Sequence, residues 1–228
     1  MKIFIVYAHH EAKSFCHAML ETSVAVLEKA GHEVKVSDLY AMKFNPVASR
    51  HDFGSRQNGD YLTYALEQRY NYQQKTLAND IVGEVEKMFW ADLLIIHFPL
   101  YWFSLPAIMK GWFDRVLLSG ACYGGKNFYE GGKMVDKKAM LTITAGSRSD
   151  FFKDETSLHG EWLTMLRPIL RGTLYYVGFQ VLPPFTAYFV PYSDDAARKK
   201  SLADYEHHLE NINHLTPLVF PKKADFGF

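Results

Sequence analysis

Residues 92–98 read DLLIIHF. Five of the seven are apolar, and they do not alternate with polar residues as in a half-buried strand. The run is too short for a buried helix, and Pro99 closes it. It therefore reads as a strand buried on both faces. Such a strand needs helices above and below it, which commits the chain to a layered α/β arrangement around a parallel sheet.

The rest of the pattern agrees. Residues 2–8 (KIFIVYA) form a β-branched apolar run. Ser14 then offers a helix cap, with Phe15, Ala18, Met19, Thr22 and Val26 at helical spacing and Gly31 closing the helix. Residues 33–39 alternate as a second strand. Asn79 or Asp80 is the expected cap of the next helix, whose apolar face includes Ile81, Val85 and Met88. Ser104 is the expected cap of the helix after residues 92–98, with Pro106 in its first turn. Residues 138–145 give a fourth strand, followed by a long helix expected to bend at Pro168. Residues 179–189 read as a fifth strand interrupted by Pro183 and Pro184, and residues 194–213 as a last helix. The expected fold is α/β: a doubly wound five-stranded parallel sheet of order 2-1-3-4-5, helices on both faces. Residues 1–228 form one domain, with 190–228 a C-terminal helix and tail extension. Two segments interrupt the alternation, residues 40–78 and the glycine-rich, aromatic residues 119–135. Insertions this long are usually functional or form interfaces.

Composition narrows the function. Lys plus Arg and Asp plus Glu are 25 each among 228 residues, a formal net charge of zero. A nucleic-acid binder shows a basic excess, so no nucleic-acid partner is expected. No apolar run approaches the ~20 residues of a membrane span, so the chain is not expected to be membrane-embedded. The two cysteines, Cys16 and Cys122, lack CxxC spacing, which fits free thiols in a reducing, cytoplasmic setting. No metal motif is present.

In the order 2-1-3-4-5, ligands bind outside the carboxyl ends of the strands where the winding reverses. Three loops then converge: residues 8–14, 99–104 and 146–157. The first, AHHEAKSF, has neither a GxGxxG nor a P-loop pattern, but a strand end running into a helix start offers free backbone N–H groups to an anion. Ser14 and His9 add a hydroxyl and a ring N–H. The second belongs to residues 98–116, FPLYWFSLPAIMKGWFDRV, six of whose nineteen residues are aromatic. Trp112 and Phe113, at helical spacing, read as core. Trp102 and Phe103 precede the helix, where they offer stacking area to a flat ring while the amides of residues 100–103 meet its edge. The third leads to His159, a candidate donor to negative charge.

With these residues in view, the chain resembles the NAD(P)H:quinone oxidoreductases, flavoproteins of flavodoxin-like fold. The resemblance runs over essentially the whole length. It rests on AHHEAKSF, SDLYAMKFNPVASRHD (37–52), the aromatic segment, TITAG (142–146), LHG (158–160), GFQVLPP (178–184) and DDAAR (194–198). The 37–52 stretch and the aromatic segment are the specific ones.

The resemblance implies a homodimer with one flavin per subunit, FAD in preference to FMN, and active sites at the interface. By position, His9, Ser14, Phe15 and Cys16 would hold the flavin phosphates. Pro99, Leu100, Tyr101, Trp102 and Phe103 would line the isoalloxazine together with Thr144, Ala145 and Gly146. Arg198 would help hold the adenosine half. Tyr123, Phe128, Phe152 and Tyr176 would belong to the substrate pocket, with Tyr123, Phe128 and Tyr176 coming from the partner subunit. His159 would be the catalytic residue that stabilises the reduced flavin. The implied reaction is two-electron, ping-pong hydride transfer from NAD(P)H through flavin N5 to a quinone or similar small aromatic acceptor. The chain departs from the family at Lys13 and Cys16, where a Thr and an Asn are usual, at Ser147 in the TAGS turn, at Gly125 for a lid tyrosine, and at Phe152 for the tyrosine that partners the histidine. The alternative reading is a regulatory flavoprotein subunit of a potassium-efflux transporter. An electron carrier is disfavoured by the neutral charge balance.

Overall fold

The computed structural model describes residues 1–227, so the last residue of the expected extension 190–228 lies outside the described residues. The elements run β1 (Lys2–Tyr7), α1 (Phe15–Lys29), β2 (Glu33–Asp38), α2 (Tyr64–Gln74), α3 (Asn79–Trp90), β3 (Leu93–Pro99), α4 (Ala107–Val116), β4 (Lys138–Thr144), α5 (Trp162–Ile169), β5 (Gln180–Val181), β6 (Phe185–Ala187) and α6 (Asp195–Glu210). The sheet is parallel with order β2-β1-β3-β4-β5, and β6 also pairs with β4. This is the flavodoxin-like arrangement expected.

All seven residues of β3 are buried, and their side chains divide between two cores. Leu94, Ile96 and Phe98 join Phe4, Val6, Leu141 and Ile143 on one face, covered by α3, α4 and α5. Leu93 and Ile95 join Ile3, Ile5 and Met140 on the other, covered by α1 and α6. A strand with two buried faces cannot alternate in polarity, which accounts for its unbroken run. Each large apolar side chain buried this way stabilises by roughly 1.5–3 kcal/mol.

The expected fifth strand is divided. Pro183 and Pro184 have no N–H for the ladder. The chain therefore pairs with β4 at Lys138 and Ala139, passes the prolines, and pairs again at Thr142–Thr144. Two cap expectations need correction. The N-cap of α3 is Ala78 rather than Asn79 or Asp80. The N-cap of α4 is Pro106, because Ser104 is used to close a turn with Tyr101. Pro168 lies inside α5, and a wider π turn, Leu170–Tyr175, follows it.

Residues 40–78 are folded back and pinned. The buried Asp52 carboxylate accepts from Arg115 Nη2 at 2.8 Å and from the Tyr64 hydroxyl at 2.5 Å. Arg115 Nη1 donates to Asp80 at 2.6 Å and to Asn45 O at 2.8 Å. Burial alone would raise the Asp52 carboxyl, but these donors outweigh it and hold it below the usual range. Buried Glu67 accepts the N–H groups of Gln57 and Asn58 at 2.9 and 3.0 Å. Among the described residues no helix is long and apolar enough to cross a membrane.

Candidate functional site

The carboxyl ends of β1, β3 and β4 open onto a cleft of about 430 Å³. It is lined by His9, Ser14, Phe15 and Cys16 from the first loop, Pro99, Leu100 and Tyr101 from the second, and Thr144, Ala145 and Gly146 from the third. The three loops expected to converge do so. Val190 and Pro191 complete the lining. They follow β6 in a segment whose run-in to the site no local pattern marks. A larger cavity of about 530 Å³ lies between α2 and α3, lined by Tyr72, Leu77, Val82 and Phe89. Lys75, Asn79 and Glu86 also line it, and none of the three strand-end loops does.

At the first loop, Ser14 caps α1, its Oγ accepting from His17 N–H at 3.1 Å. In this role the Ser14 oxygen accepts, while its hydroxyl proton points toward Tyr7 and can turn to an anion. His9 Nδ1 accepts from Glu11 N–H at 3.0 Å. A neutral imidazole that accepts at Nδ1 carries its hydrogen on Nε2, so His9 presents a donor. Burial, then the neighbouring His10, push the His9 ring below its ordinary pKa and favour that neutral form. No acidic residue stands in the first turn of α1, so the positive end of the helix dipole is not offset from within the helix; the Glu11 carboxylate accepts the Lys13 N–H just before the cap at 2.8 Å. The set is suited to an anion. Cys16 is 2% exposed, and burial pushes its thiol up to about 12. It is a neutral wall of the cleft. Both cysteines are free and buried.

The second loop is strained. Trp102 and Phe103 have φ of 51° and 56°, a left-handed conformation costing roughly 1–2 kcal/mol for a bulky residue. Trp102 is 95% exposed and Phe103 45%. The turn is held by Tyr101 N–H to Ser104 O at 3.1 Å and Ser104 N–H to Tyr101 O at 2.9 Å, while Leu100 N–H donates to Thr144 O at 2.8 Å. This corrects the expectation that amides 100–103 all face a ligand. Those of Leu100 and Tyr101 are used internally, and only those of Trp102 and Phe103 have no partner among the described residues.

The third loop brings His159 to the aromatic turn. Its ring lies 5.0 Å from Phe103 and 5.0 Å from Phe152. Its Nε2 is 3.5 Å from Ser147 Oγ, the hydroxyl that the TAGS turn supplies. Sequence reading did not assign Ser147 to the site, because the contact depends on the loop's return over twelve residues. Phe152 is 3% exposed and packs on Trp162 and Tyr188, so it backs His159 from the core. Arg198 is tethered beside the cleft through Asp195 at 3.2 Å and the Val190 carbonyl at 3.5 Å.

Tyr123, Phe128 and Tyr176 are brought together with one another and not with the cleft of their own chain. Tyr176 stands 5.7 Å from Tyr123 and is stacked on Phe128 at 5.8 Å and 20°. Among the described residues no group of His, Cys, Asp and Glu is placed to hold a metal.

Comparison with known proteins agrees with the fold. A family model described as flavodoxin-like fold matches residues 1–209. NAD(P)H dehydrogenase (quinone) 1 of Cavia porcellus is 42% identical over 226 residues, covering 99% of this chain and 82% of that protein. Ribosyldihydronicotinamide dehydrogenase (quinone) of Homo sapiens is 38% identical over 227 residues, covering 99% and 98%. A crystal structure of a Klebsiella pneumoniae protein superposes with a TM-score of 0.94 at 37% identity, covering 97% of this chain and 88% of that one.

Proposed function

Because this chain belongs to the NAD(P)H:quinone oxidoreductase family of flavodoxin-like proteins and is an NAD(P)H dehydrogenase (quinone), we propose that it works as an FAD-dependent homodimer by two-electron, ping-pong transfer. The observation that supports this most is the polarity of the cleft. Anion donors stand at one end, and bare aromatics with two free amides stand at the other.

That arrangement fits a planar ring joined to a phosphate tail. His9 Nε2–H, the Ser14 hydroxyl and the N–H groups of Phe15 and Cys16 would hold the phosphates, with the helix dipole adding to the attraction. Pro99 to Phe103 and Thr144 to Gly146 would enclose the isoalloxazine, and the amides of Trp102 and Phe103 would donate to its edge. Arg198 would hold the adenosine half. A bound flavin supplies the capacity to accept a hydride from NAD(P)H and deliver it to a quinone. The chain's own work is to stack and orient the reactants, exclude water, and place His159 where negative charge develops. Ser147 fixes the ring of His159 in the absence of a tyrosine at position 152.

The dimer is supported by what one chain leaves bare. Trp102 at 95% exposure and Phe103 at 45% are costly to leave in water. Tyr123, Phe128 and Tyr176 do not line their own cleft and would cover the partner's.

The decisive measurement is a visible spectrum of the purified protein, with the released flavin identified and quinone reduction by NAD(P)H followed. FAD in the yellow protein, with turnover, is expected. A colourless protein that takes up neither FAD nor FMN would overturn the proposal.

A further inference from the structure

Arg69, on α2, lies against the segment that carries Tyr123. Its Nη2 donates to Ser119 Oγ at 3.4 Å, and the neighbouring Gln68 Oε1 accepts from Ser119 N–H at 3.2 Å. The segment is bare where the arginine crosses it. A Cβ at Gly120 would stand 2.8 Å from Arg69 Cγ, and one at Gly124 2.8 Å from its Nη2. The guanidinium and the Ser119 hydroxyl also reach the Tyr123 hydroxyl. Burial pushes that phenol up, and these two neighbours pull it back. Tyr123 in turn packs on Tyr176 at 5.7 Å. Gly125, where the resemblance calls for a second lid tyrosine, has φ of 61° and nothing but its chain neighbours within 4 Å of where a Cβ would stand. The lid is therefore open beside a cation.

That cation has no acid to meet. Among the described residues no carboxylate lies within ion-pair distance of Arg69, and its hydrogen bond there is a long one to a neutral hydroxyl. A guanidinium presents a planar fork of N–H donors that matches an oxyanion. Half-buried as it is, Arg69 loses part of its hydration without gaining a counter-charge. A plain quinone needs only the aromatic lid and leaves this group unused. An acceptor that also bears an acidic substituent uses all of it: the ring meets Tyr123 and Tyr176, the substituent takes the room at Gly125, and the charge meets Arg69. We propose that the acceptor suited to this chain is an anionic one, a quinone or similar flat ring carrying a carboxylate or sulfonate that Arg69 receives. The inference rests on the dehydrogenase and dimer readings above, because Tyr123 would cover the partner's cleft.

The test compares a naphthoquinone with the same naphthoquinone bearing one sulfonate, in the flavin-loaded protein. In Arg69→Gln, kcat/KM for the sulfonate falls about ten- to hundredfold, as expected for losing a charge-assisted contact. The value for the neutral quinone and the rate of flavin reduction by NADH in stopped flow stay the same. Arg69→Lys keeps the charge and recovers part of the loss. Raising the salt concentration lowers kcat/KM for the sulfonate in the wild type and not in Arg69→Gln. An equal loss for both acceptors, no loss for the sulfonate, or slower flavin reduction overturns the proposal. The last of these outcomes would assign Arg69 to the donor. Calorimetric titration with naphthalene sulfonate, which cannot be reduced, gives a second readout. The wild type binds it about tenfold more tightly than Arg69→Gln does, and equal binding by the two overturns the proposal. If the wild type reduces neither quinone, the dehydrogenase reading fails instead, and the calorimetric comparison still decides the role of Arg69. Sedimentation at the assay concentration reports the dimer separately.

Discussion

His159 is held by three kinds of contact at once. Its backbone N–H donates to Phe151 O at 2.9 Å, its ring meets Phe103 and Phe152 edge-on or tilted, and its Nε2 faces the Ser147 hydroxyl. Replacing it with alanine removes a polar donor next to the strained aromatic turn while leaving the backbone contact in place. His159→Ala is expected to slow flavin reduction about 10²–10³-fold in stopped flow, the usual cost of losing one preorganised donor. An unchanged rate would remove His159 from the chemistry. Ser147→Ala is expected to have a smaller effect, visible in the same half-reaction, because it loosens the ring without deleting it. The candidate residues were legible at this scale wherever they sat beside a strand end. Ser147 was not, since a 3.5 Å contact between two turns of one loop leaves no spacing to read. Nor did spacing show that the amides of Leu100 and Tyr101 were already taken.

At the scale of elements, the main surprise is α2. Its sequence, YALEQRYNYQQ, shows no apolar stripe, and its buried side is polar: Glu67, Gln68 and Asn71. Glu67 turns inward to bind the N–H groups of a loop, and Gln68 reaches the Asp114 carbonyl at 3.1 Å. A helix that buries hydrogen bonds in place of hydrocarbon escapes any periodicity argument. The whole excursion docks on α4 through Arg115 and Gly111. A Cβ on Gly111 would lie 2.2 Å from Pro46 O and 2.4 Å from Pro46 Cα, both backbone atoms. Gly111→Ala is therefore expected to destabilise by about 1–3 kcal/mol in urea unfolding, and an unshifted midpoint would show that the excursion is not packed there. Arg115→Met leaves the buried Asp52 carboxylate without its guanidinium. The expected loss is about 3–5 kcal/mol, and the loss should shrink as acid protonates Asp52, whose pKa is held low in the fold.

Across the whole molecule, one buried group ties stability to pH. His97, within β3, is fully buried, and neither ring nitrogen makes a well-formed hydrogen bond, the backbone of Cys16 offering only a weak contact. Burial pushes its pKa down to about 3. The unfolded chain takes up a proton here near pH 6.5, while the folded chain does so only near pH 3. Between those values the unfolded state holds more protons, so stability falls as the pH falls through the window. Relative to His97→Gln, the wild type should lose on the order of 3 kcal/mol between about pH 6.5 and pH 4. Parallel curves in chemical denaturation would contradict this. The layered architecture was determined by the sequence alone, since it rests on local runs and periods that any part of the chain displays by itself. Those runs allow the order 2-1-3-4-5 with its strand-end cleft, but the pairing of β1 with β3 that puts the cleft there was decided by the tertiary structure. Tertiary structure alone decided which donors remain free at the cleft, why α2 forms, why the fifth strand splits across β5 and β6, and how Arg69 of α2 comes to border the lid. Each of these depends on a hydrogen bond, a ring contact or a close approach between residues far apart in the chain, and the partner of such a contact is not written in either local sequence.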